Sequence, residues 1–259
     1  MADNIKIGLS GYKGKMGMEL QNIINDYHAN NNNKQIEVII DGGENGGDKI
    51  ALFNSSDIVI DFTNSNGLIE CLNCVLTTKK PFVSGSTPMT DEIEKKIFEA
   101  SKIAKVCWSA NMSIGVAITK KISRLLGEYL SGNEYDCEIL EKHHNQKKDA
   151  PSGTAIMLGK SVAEGRNIVF DGAKDIDRMH KNEKREVGKI GFSSIRGGTI
   201  FGEHEVMFIG KNDEITIKHT AFNRKIFAIG ALECALKLLD LEKKNGLFLP
   251  EDLIFKEIL

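Results

Sequence analysis

Through residues 1–112, short apolar runs alternate with stretches of helical periodicity. Ile5, Ile7 and Leu9 alternate as in a strand and run into Gly11, Gly14 and Gly17. Met16, Leu20, Ile23, Ile24 and Tyr27 then recur at helical spacing and stop at an Asn-rich turn, Asn30 to Asn33. Val38-Ile39-Ile40 ends at Asp41-Gly42-Gly43, and Ile58-Val59-Ile60 ends at Asp61-Phe62-Thr63. Leu68, Leu72, Val75 and Leu76 form the next apolar helix face, and Phe82-Val83 the next strand. Thr90 is expected as an N-cap, with Asp91 and Glu92 in the first turn beside the positive helix end. Lys105-Val106-Cys107-Trp108 closes the series. Repeated β–α units of this kind predict an α/β fold, with a Rossmann-like parallel sheet covered by helices on both faces.

After residue 112 the pattern changes. A helix from Ser113 to Tyr129 leads to an alternating strand, Tyr135 to Lys142, and then to a loop carrying His143, His144 and Lys147. A further helix opens near Ser152, and the charged stretch Asp171 to Glu186 reads as irregular surface. Three strands follow, Lys189 to Arg196, Thr199 to Ile209 and Glu214 to Thr220, the last two joined by the hairpin turn Gly210-Lys211-Asn212-Asp213. Mostly antiparallel pairing is expected, hence a second, α+β domain. The helical pattern Phe227, Ala231, Leu232, Ala235, Leu238 and Leu239 is expected to pack back on the first domain. The predicted division is residues 1–112 with 222–259 for the dinucleotide, and 113–221 for substrate binding and oligomerisation.

Composition narrows the function classes. With 259 residues and 41% hydrophobic content the chain can bury one or two large cores. A net charge of −2 gives no global attraction to nucleic acid or acidic membranes, and no apolar run is long enough for a transmembrane helix. The strand pattern begins almost at once, so no signal peptide is expected. The five cysteines, an odd set, are read as reduced cytoplasmic thiols, with no metal knuckle at Cys71 and Cys74.

Four strand ends carry candidate cofactor chemistry. Gly11-Tyr12-Lys13-Gly14-Lys15-Met16-Gly17 lies between a strand and a helix, where glycines let the backbone approach a pyrophosphate whose charge the helix N-terminus meets. The spacing departs from GxGxxG, and an ordinary β–α turn is the plain alternative. Asp41 ends the second strand, where a carboxylate accepts from adenosine ribose hydroxyls, although it lies 30 residues after Gly11. Glycines and no arginine follow it, which predicts NADH over NADPH; Lys13, Lys15 and Lys49 are the residues able to compensate. Gly85-Ser86-Thr87-Pro88 and Ser109-Ala110-Asn111-Met112 also fall at carboxyl ends of predicted parallel strands. They read equally well as nicotinamide contacts or as capped loops.

The most informative segment is Glu141-Lys142-His143-His144-Asn145-Gln146-Lys147-Lys148-Asp149-Ala150-Pro151-Ser152-Gly153-Thr154-Ala155. It offers a titratable proton donor in His143, a fixed positive charge in Lys147, and backbone N–H groups at Ser152-Gly153-Thr154 where a helix opens. Those parts suit a small anionic substrate that must receive a proton.

These residues together resemble the 4-hydroxy-tetrahydrodipicolinate reductase (dihydrodipicolinate reductase) family over nearly the whole chain. Gly11 to Gly17 resembles its G-x-x-G-[RK]-M-G loop, Asp61-Phe62-Thr63 its D-F-[ST], and Gly85-Ser86-Thr87 its G-T-T. Ser109 to Val116 resembles A-x-N-[FM]-S-x-G-V, and Glu141 to Ala155 meets E-x-H-H-x-x-K-x-D-A-P-S-G-T-A without a gap. Arg196-Gly197-Gly198 and Gly202-Glu203-His204 are similar to the later R-x-G and G-E-H segments. The departures are mild: Lys15 for the commoner arginine, Ser86 for threonine, Met112 for phenylalanine. The resemblance implies reduction of a cyclic imine dicarboxylate to tetrahydrodipicolinate with NAD(P)H, on the diaminopimelate route to lysine. It implies His143 as proton donor, Lys147 as catalytic lysine, and His144, Ser152, Gly153 and Thr154 as substrate-carboxylate contacts. It also implies a homotetramer built through the second domains; bringing hydride and proton donor together is expected to require domain closure, which would also exclude water.

Other readings carry less. A zinc site at His143 and His144 lacks a third ligand at a suitable spacing, and neighbours at a strand end point apart. His180, His204 and His219 carry no signal that separates catalysis from structure, and Arg196 and Arg224 read as structural ion pairs before substrate ligands. A semialdehyde dehydrogenase would want an acylating cysteine in a turn, whereas Cys107 and Cys137 are mid-strand. A nucleotide sensor without chemistry would not need His143 and Lys147.

Overall fold

The computed structural model describes residues 4–30, 36–40, 47–178 and 182–255. In chain order its elements are β1 (Ile5–Ser10), α1 (Lys15–Asn30), β2 (Ile36–Ile40), α2 (Lys49–Ser55), β3 (Ile58–Asp61), α3 (Ser65–Thr78), β4 (Phe82–Ser84), α4 (Asp91–Ser101) and β5 (Lys105–Trp108). There follow α5 (Ile114–Tyr129), β6 (Asp136–His143), α6 (Gly153–Gly165), α7 (Phe170–Ala173), β7 (Lys174–Asp175), β8 (Ile190–Arg196), β9 (Gly202–Ile209) and β10 (Glu214–Ala221). The chain closes with α8 (Lys225–Asp240), β11 (Gly246–Phe248) and α9 (Pro250–Ile254). It forms two compact units, Met1–Ile114 with Lys225–Leu259, and Gly115–Arg224.

The first unit holds a six-stranded parallel sheet in the order β11-β5-β4-β3-β1-β2. Its strands are apolar on both faces, as a sheet covered on both sides requires: Ile58, Val59 and Ile60 are all fully buried. One core, with Ile7, Leu9, Leu20, Ile24 and Ile60, is closed by α8 through Ala228, Ala231, Leu232, Ala235 and Leu238. The other, with Phe53, Val59, Leu72, Phe82, Ile93 and Ile97, joins α2, α3 and α4. Gly230 lets α8 lie directly on the backbone after β5, since a Cβ there would collide with the Met112 carbonyl. Thr90 caps α4, its hydroxyl accepting from the Ile93 N–H at 3.3 Å. Sequence periodicity did not reveal α2, β11 or α9, whose runs of three to seven residues are too short to show a period.

The second unit holds a five-stranded sheet in the order β10-β9-β6-β8-β7, with α6 packed on one face. Its pairing corrects the expectation of mostly antiparallel strands. β6 and β8 are parallel, as are β7 and β8, while β9 is antiparallel to both β6 and β10. The β8–β9 connection is no hairpin; it passes over the end of β6, where the Gly197 N–H donates to the His143 carbonyl at 2.9 Å. The buried β6 thereby takes a partner on each edge. Gly210 to Asp213 does form the expected hairpin turn, the Gly210 N–H donating to the Asp213 carbonyl at 2.9 Å. The stretch Asp171 to Glu186, expected to be irregular, contains most of α7 and the short β7.

The five cysteines are reduced and buried. Cys71 and Cys74 stand at a C-x-x-C spacing, both inward on α3. Among the described residues no helix is long and apolar enough to cross a membrane.

Candidate active site

In the first unit, the candidate loops gather at the carboxyl ends of adjacent parallel strands. The order 2-1-3-4-5 changes direction between β1 and β3, and the glycine loop leaves β1 at this switch point, the place where such sheets bind ligands. The Gly14 N–H donates to the Gly11 carbonyl at 2.9 Å, closing a tight turn in which Gly11 has φ +83°. A Cβ on Gly11 would sit 2.7 Å from the Phe62 carbonyl oxygen, and one on Gly17 would sit 2.5 Å from Tyr12 Cα. Both glycines are therefore required by backbone packing. Lys13 and Lys15 are exposed beside the N-terminus of α1, whose first turn has no acidic residue. Tyr12 and Met16 pack their side chains on the core. Asp41 lies outside the described residues.

Asp61 is the organiser that sequence reading left unassigned. Fully buried at the end of β3, it accepts from Thr63 Oγ1 at 2.7 Å, Ser84 Oγ at 2.9 Å and Ser86 Oγ at 2.7 Å. Ser86 Oγ also accepts the Thr63 N–H at 2.8 Å, and its carbonyl accepts from Trp108 Nε1 at 3.1 Å. The expected cofactor contact at Ser86 is thus a loop fastener whose side chain faces inward. Met112, only 1% exposed, belongs to the core, so backbone and not side chain is what it can offer a ligand. Gly85 lies against the Phe62 ring, and Thr87 and Ala110 are exposed. Ser109 Oγ donates to the Asn111 carbonyl at 2.8 Å, while Asn111 Oδ1 accepts the Ser113 N–H at 2.9 Å.

In the second unit, one face of β6 reads Cys137, Ile139, Glu141, His143, so two ionisable groups occupy positions that continue an apolar row. Glu141 is fully buried and His143 nearly so. The glutamate binds His143 Nδ1 through Oε2 at 2.5 Å, and the Arg196 guanidinium grips it bidentately at 2.7 and 2.9 Å. Its Oε1 also accepts the Ser152 N–H at 3.2 Å. Burial alone would raise the Glu141 carboxyl, but hydrogen bonds from Arg196, Ser194 and His143 outweigh it and hold the pKa at about 2. His143 is held below the usual histidine range, first by burial, with Lys147 and Arg196 adding to it against Glu141. Arg196 also donates to the Asp149 carbonyl at 2.5 Å, and Asp149 pairs with Lys147 at 2.9 Å.

Ser152 is the N-cap of α6, its Oγ accepting the Ala155 N–H at 3.2 Å and meeting His204 Nε2 at 3.1 Å. Its N–H and hydroxyl are both engaged within the protein; of the other three expected carboxylate contacts, Gly153 and Thr154 are the first two residues of α6. Gly153 is exposed, and a Cβ there would meet nothing within 4 Å. His144 follows the strand, half-buried, its Nδ1 accepting the Gln146 N–H at 3.2 Å. His204 stands edge-on to His143 with ring centroids 5.1 Å apart. Burial, then the neighbouring His143, pushes the His204 pKa down to about 4. Gly202 also lies against His143; a Cβ there would sit 3.1 Å from Nε2. The semialdehyde-dehydrogenase alternative gains no support, since Cys107 and Cys137 are fully buried with thiol pKa values raised.

A doubly wound parallel sheet with a glycine loop at its switch point defines a Rossmann-type fold, the class that includes the pyridine-nucleotide oxidoreductases. Two family models match the chain, dihydrodipicolinate reductase, N-terminus, over residues 5–112, and dihydrodipicolinate reductase, C-terminus, over residues 115–254. It is 37% identical to the 4-hydroxy-tetrahydrodipicolinate reductase of Zymomonas mobilis subsp. mobilis, over 97% of both chains. Against the protein of the same name from Clostridium novyi it is 38% identical, over 96% of this chain and 98% of that one. A solved structure, dipicolinate-bound dihydrodipicolinate reductase from Paenisporosarcina sp. TG-14, shares the fold with TM-score 0.75 at 22% identity, covering 98% of this chain and 100% of its own. The chain belongs to the dihydrodipicolinate reductase family.

Proposed function

We propose that this chain reduces 4-hydroxy-tetrahydrodipicolinate with loss of its hydroxyl as water, or the already dehydrated form directly, to tetrahydrodipicolinate with a nicotinamide nucleotide, the reaction of the diaminopimelate route to lysine. The observation that carries the reading is the Glu141 carboxylate, which binds both the His143 ring and the N–H of Ser152, the N-cap of α6. A proton donor and a helix N-terminus suited to a carboxylate thus share one anchor.

The first unit fits the nucleotide: the Gly11–Gly17 turn admits close backbone approach, and Lys13 and Lys15 supply positive charge. Gly85, Thr87 and Ala110 to Asn111 offer the remaining strand-end contacts. When bound, the reduced nicotinamide supplies the hydride. NADH is the expected preference, resting on Asp41 and the absence of an arginine after it; a kcat/KM for NADPH exceeding that for NADH would reverse it.

The substrate is a dicarboxylate. Gly153 and Thr154, with His144, are read as holding one carboxylate, and Lys147 as supplying a charge that stabilises negative charge developing on the ring. As the imine system is reduced, electron density builds on the ring, and the His143 imidazolium quenches it by giving up its Nε2 proton. Although burial depresses the resting His143 pKa, an arriving dicarboxylate brings negative charge that raises it. The expected assembly is a homotetramer through the sheet face opposite α6. That face exposes Ile195 and Ile209, carries Lys142 and Lys218 paired with Glu203 and Glu205, and bears a cavity of about 340 Å³ beside Glu138, Arg185 and Met207. A monomer by sedimentation would remove that expectation.

The deciding experiment couples the purified protein to the synthase that makes the substrate and follows NADH absorbance. Oxidation is expected, and His143→Gln should lower kcat far more than it raises KM. No oxidation with an active synthase present would favour a nucleotide sensor, and a loss confined to KM would remove His143 as proton donor.

A further inference from the structure

We propose that Glu141, clamped by Arg196, is a positioning residue that fixes the ring state of His143, so that Nδ1 always keeps its hydrogen and Nε2 alone carries the proton that is transferred. The inference rests on His143 as the donor and concerns how the fold makes it one.

A carboxylate in the buried row of a strand is a costly choice if packing is all it serves, because an apolar pair would fill the space as well. Glu141 is fully buried, yet both its oxygens are saturated: Oε1 by Arg196 Nη2 and the Ser152 N–H, Oε2 by Arg196 Nη1 and His143 Nδ1. Arg196 already supplies each oxygen with one strong donor and holds the carboxylate ionised. An ionised carboxylate can only accept, so the Nδ1 facing it at 2.5 Å must carry the hydrogen. The neutral ring then has a bare Nε2, and the charged ring has its one transferable proton there. After transfer to the substrate ring, Nδ1–H stays on Glu141 and no proton moves to the carboxylate.

The sheet topology produces this arrangement. Arg196 is the register partner of His143 on β8, and His204 is the register partner of Glu141 on β9. Gly202, next on β9, leaves space beside Nε2. The groups facing the ring are Glu141 on its own strand, Arg196 from β8, His204 from β9 with His219 of β10 beyond it, and Lys147 from the following loop, itself paired with Asp149. Burial and the cations favour the neutral ring, and Glu141 is the carboxylate opposing them.

The test begins with the resting protein, free of substrate. Nitrogen-15 NMR of histidine-labelled protein, assigned with His143→Gln, should show the Nδ1–H tautomer above the His143 pKa. An Nε2–H tautomer overturns the proposal without touching the reductase reading, which stands or falls on NADH oxidation. Glu141→Gln should lower kcat about a hundredfold or more and move the alkaline limb of the kcat profile down by about one pH unit or more. Glu141→Asp, which keeps the charge, should restore most of that limb's position. An unmoved limb in Glu141→Gln would reduce the glutamate to a purely structural role and overturn the proposal. If that variant does not fold, the wild-type tautomer decides alone.

Discussion

Gly153→Ala separates what the fold needs from what a ligand needs. Gly153 opens α6, has no left-handed φ, and has open space where a Cβ would go. The protein should tolerate the methyl, and replacing glycine in a helix gains about 0.5 kcal/mol through the unfolded chain. Thermal unfolding should move up by about 1–2 °C at this size. A substrate carboxylate resting on the helix N-terminus would meet the methyl and lose about one charge-assisted hydrogen bond, about 1.5–3 kcal/mol. That corresponds to a roughly 10- to 150-fold weaker dissociation constant for pyridine-2,6-dicarboxylate by calorimetry, with a matching rise in KM. Unchanged dicarboxylate affinity in a stable variant would remove the helix end as the carboxylate site. A destabilised variant would show that the space around Gly153 is not free.

Gly17→Ala should behave oppositely. Its Cβ would meet backbone at 2.5 Å, so α1 must shift off the turn, costing about 1–3 kcal/mol and raising the KM for NADH; urea unfolding within a few tenths of wild type would contradict the packing. Acid should weaken the fold in two stages. His204 is buried and its folded pKa is lowered from 6.5 to about 4, so its contribution is present above 6.5 and is lost as pH falls toward 4. Glu141 is lowered from 4.5 to about 2, so its contribution is lost over that lower window. Each contribution is on the order of 3 kcal/mol; urea midpoints at pH 7.5, 5.5 and 3.5 check this, and equal stability at the first two would refute the histidine part.

The sequence by itself determined the parallel sheet, the glycine turn and the place of the His143 loop. Those features are local: a period of two or 3.6, a helix cap, and a strand ending in glycines are properties of neighbouring residues. Asp61 could not be assigned that way, because its partners Ser84 and Ser86 come from another strand end that reaches it only once β3 and β4 pair. Ser86 and Met112 fell on matching motif positions, yet their side chains turn inward, a direction set by packing and not by order along the chain. Glu141 left one legible trace, a charge at an inward position of β6. Its meaning depended on Arg196, whose arrival from β8 rests on a connection that crosses the end of β6. Register between strands distant in sequence is fixed by burying apolar faces, so only the tertiary structure could decide which carboxylate holds the histidine.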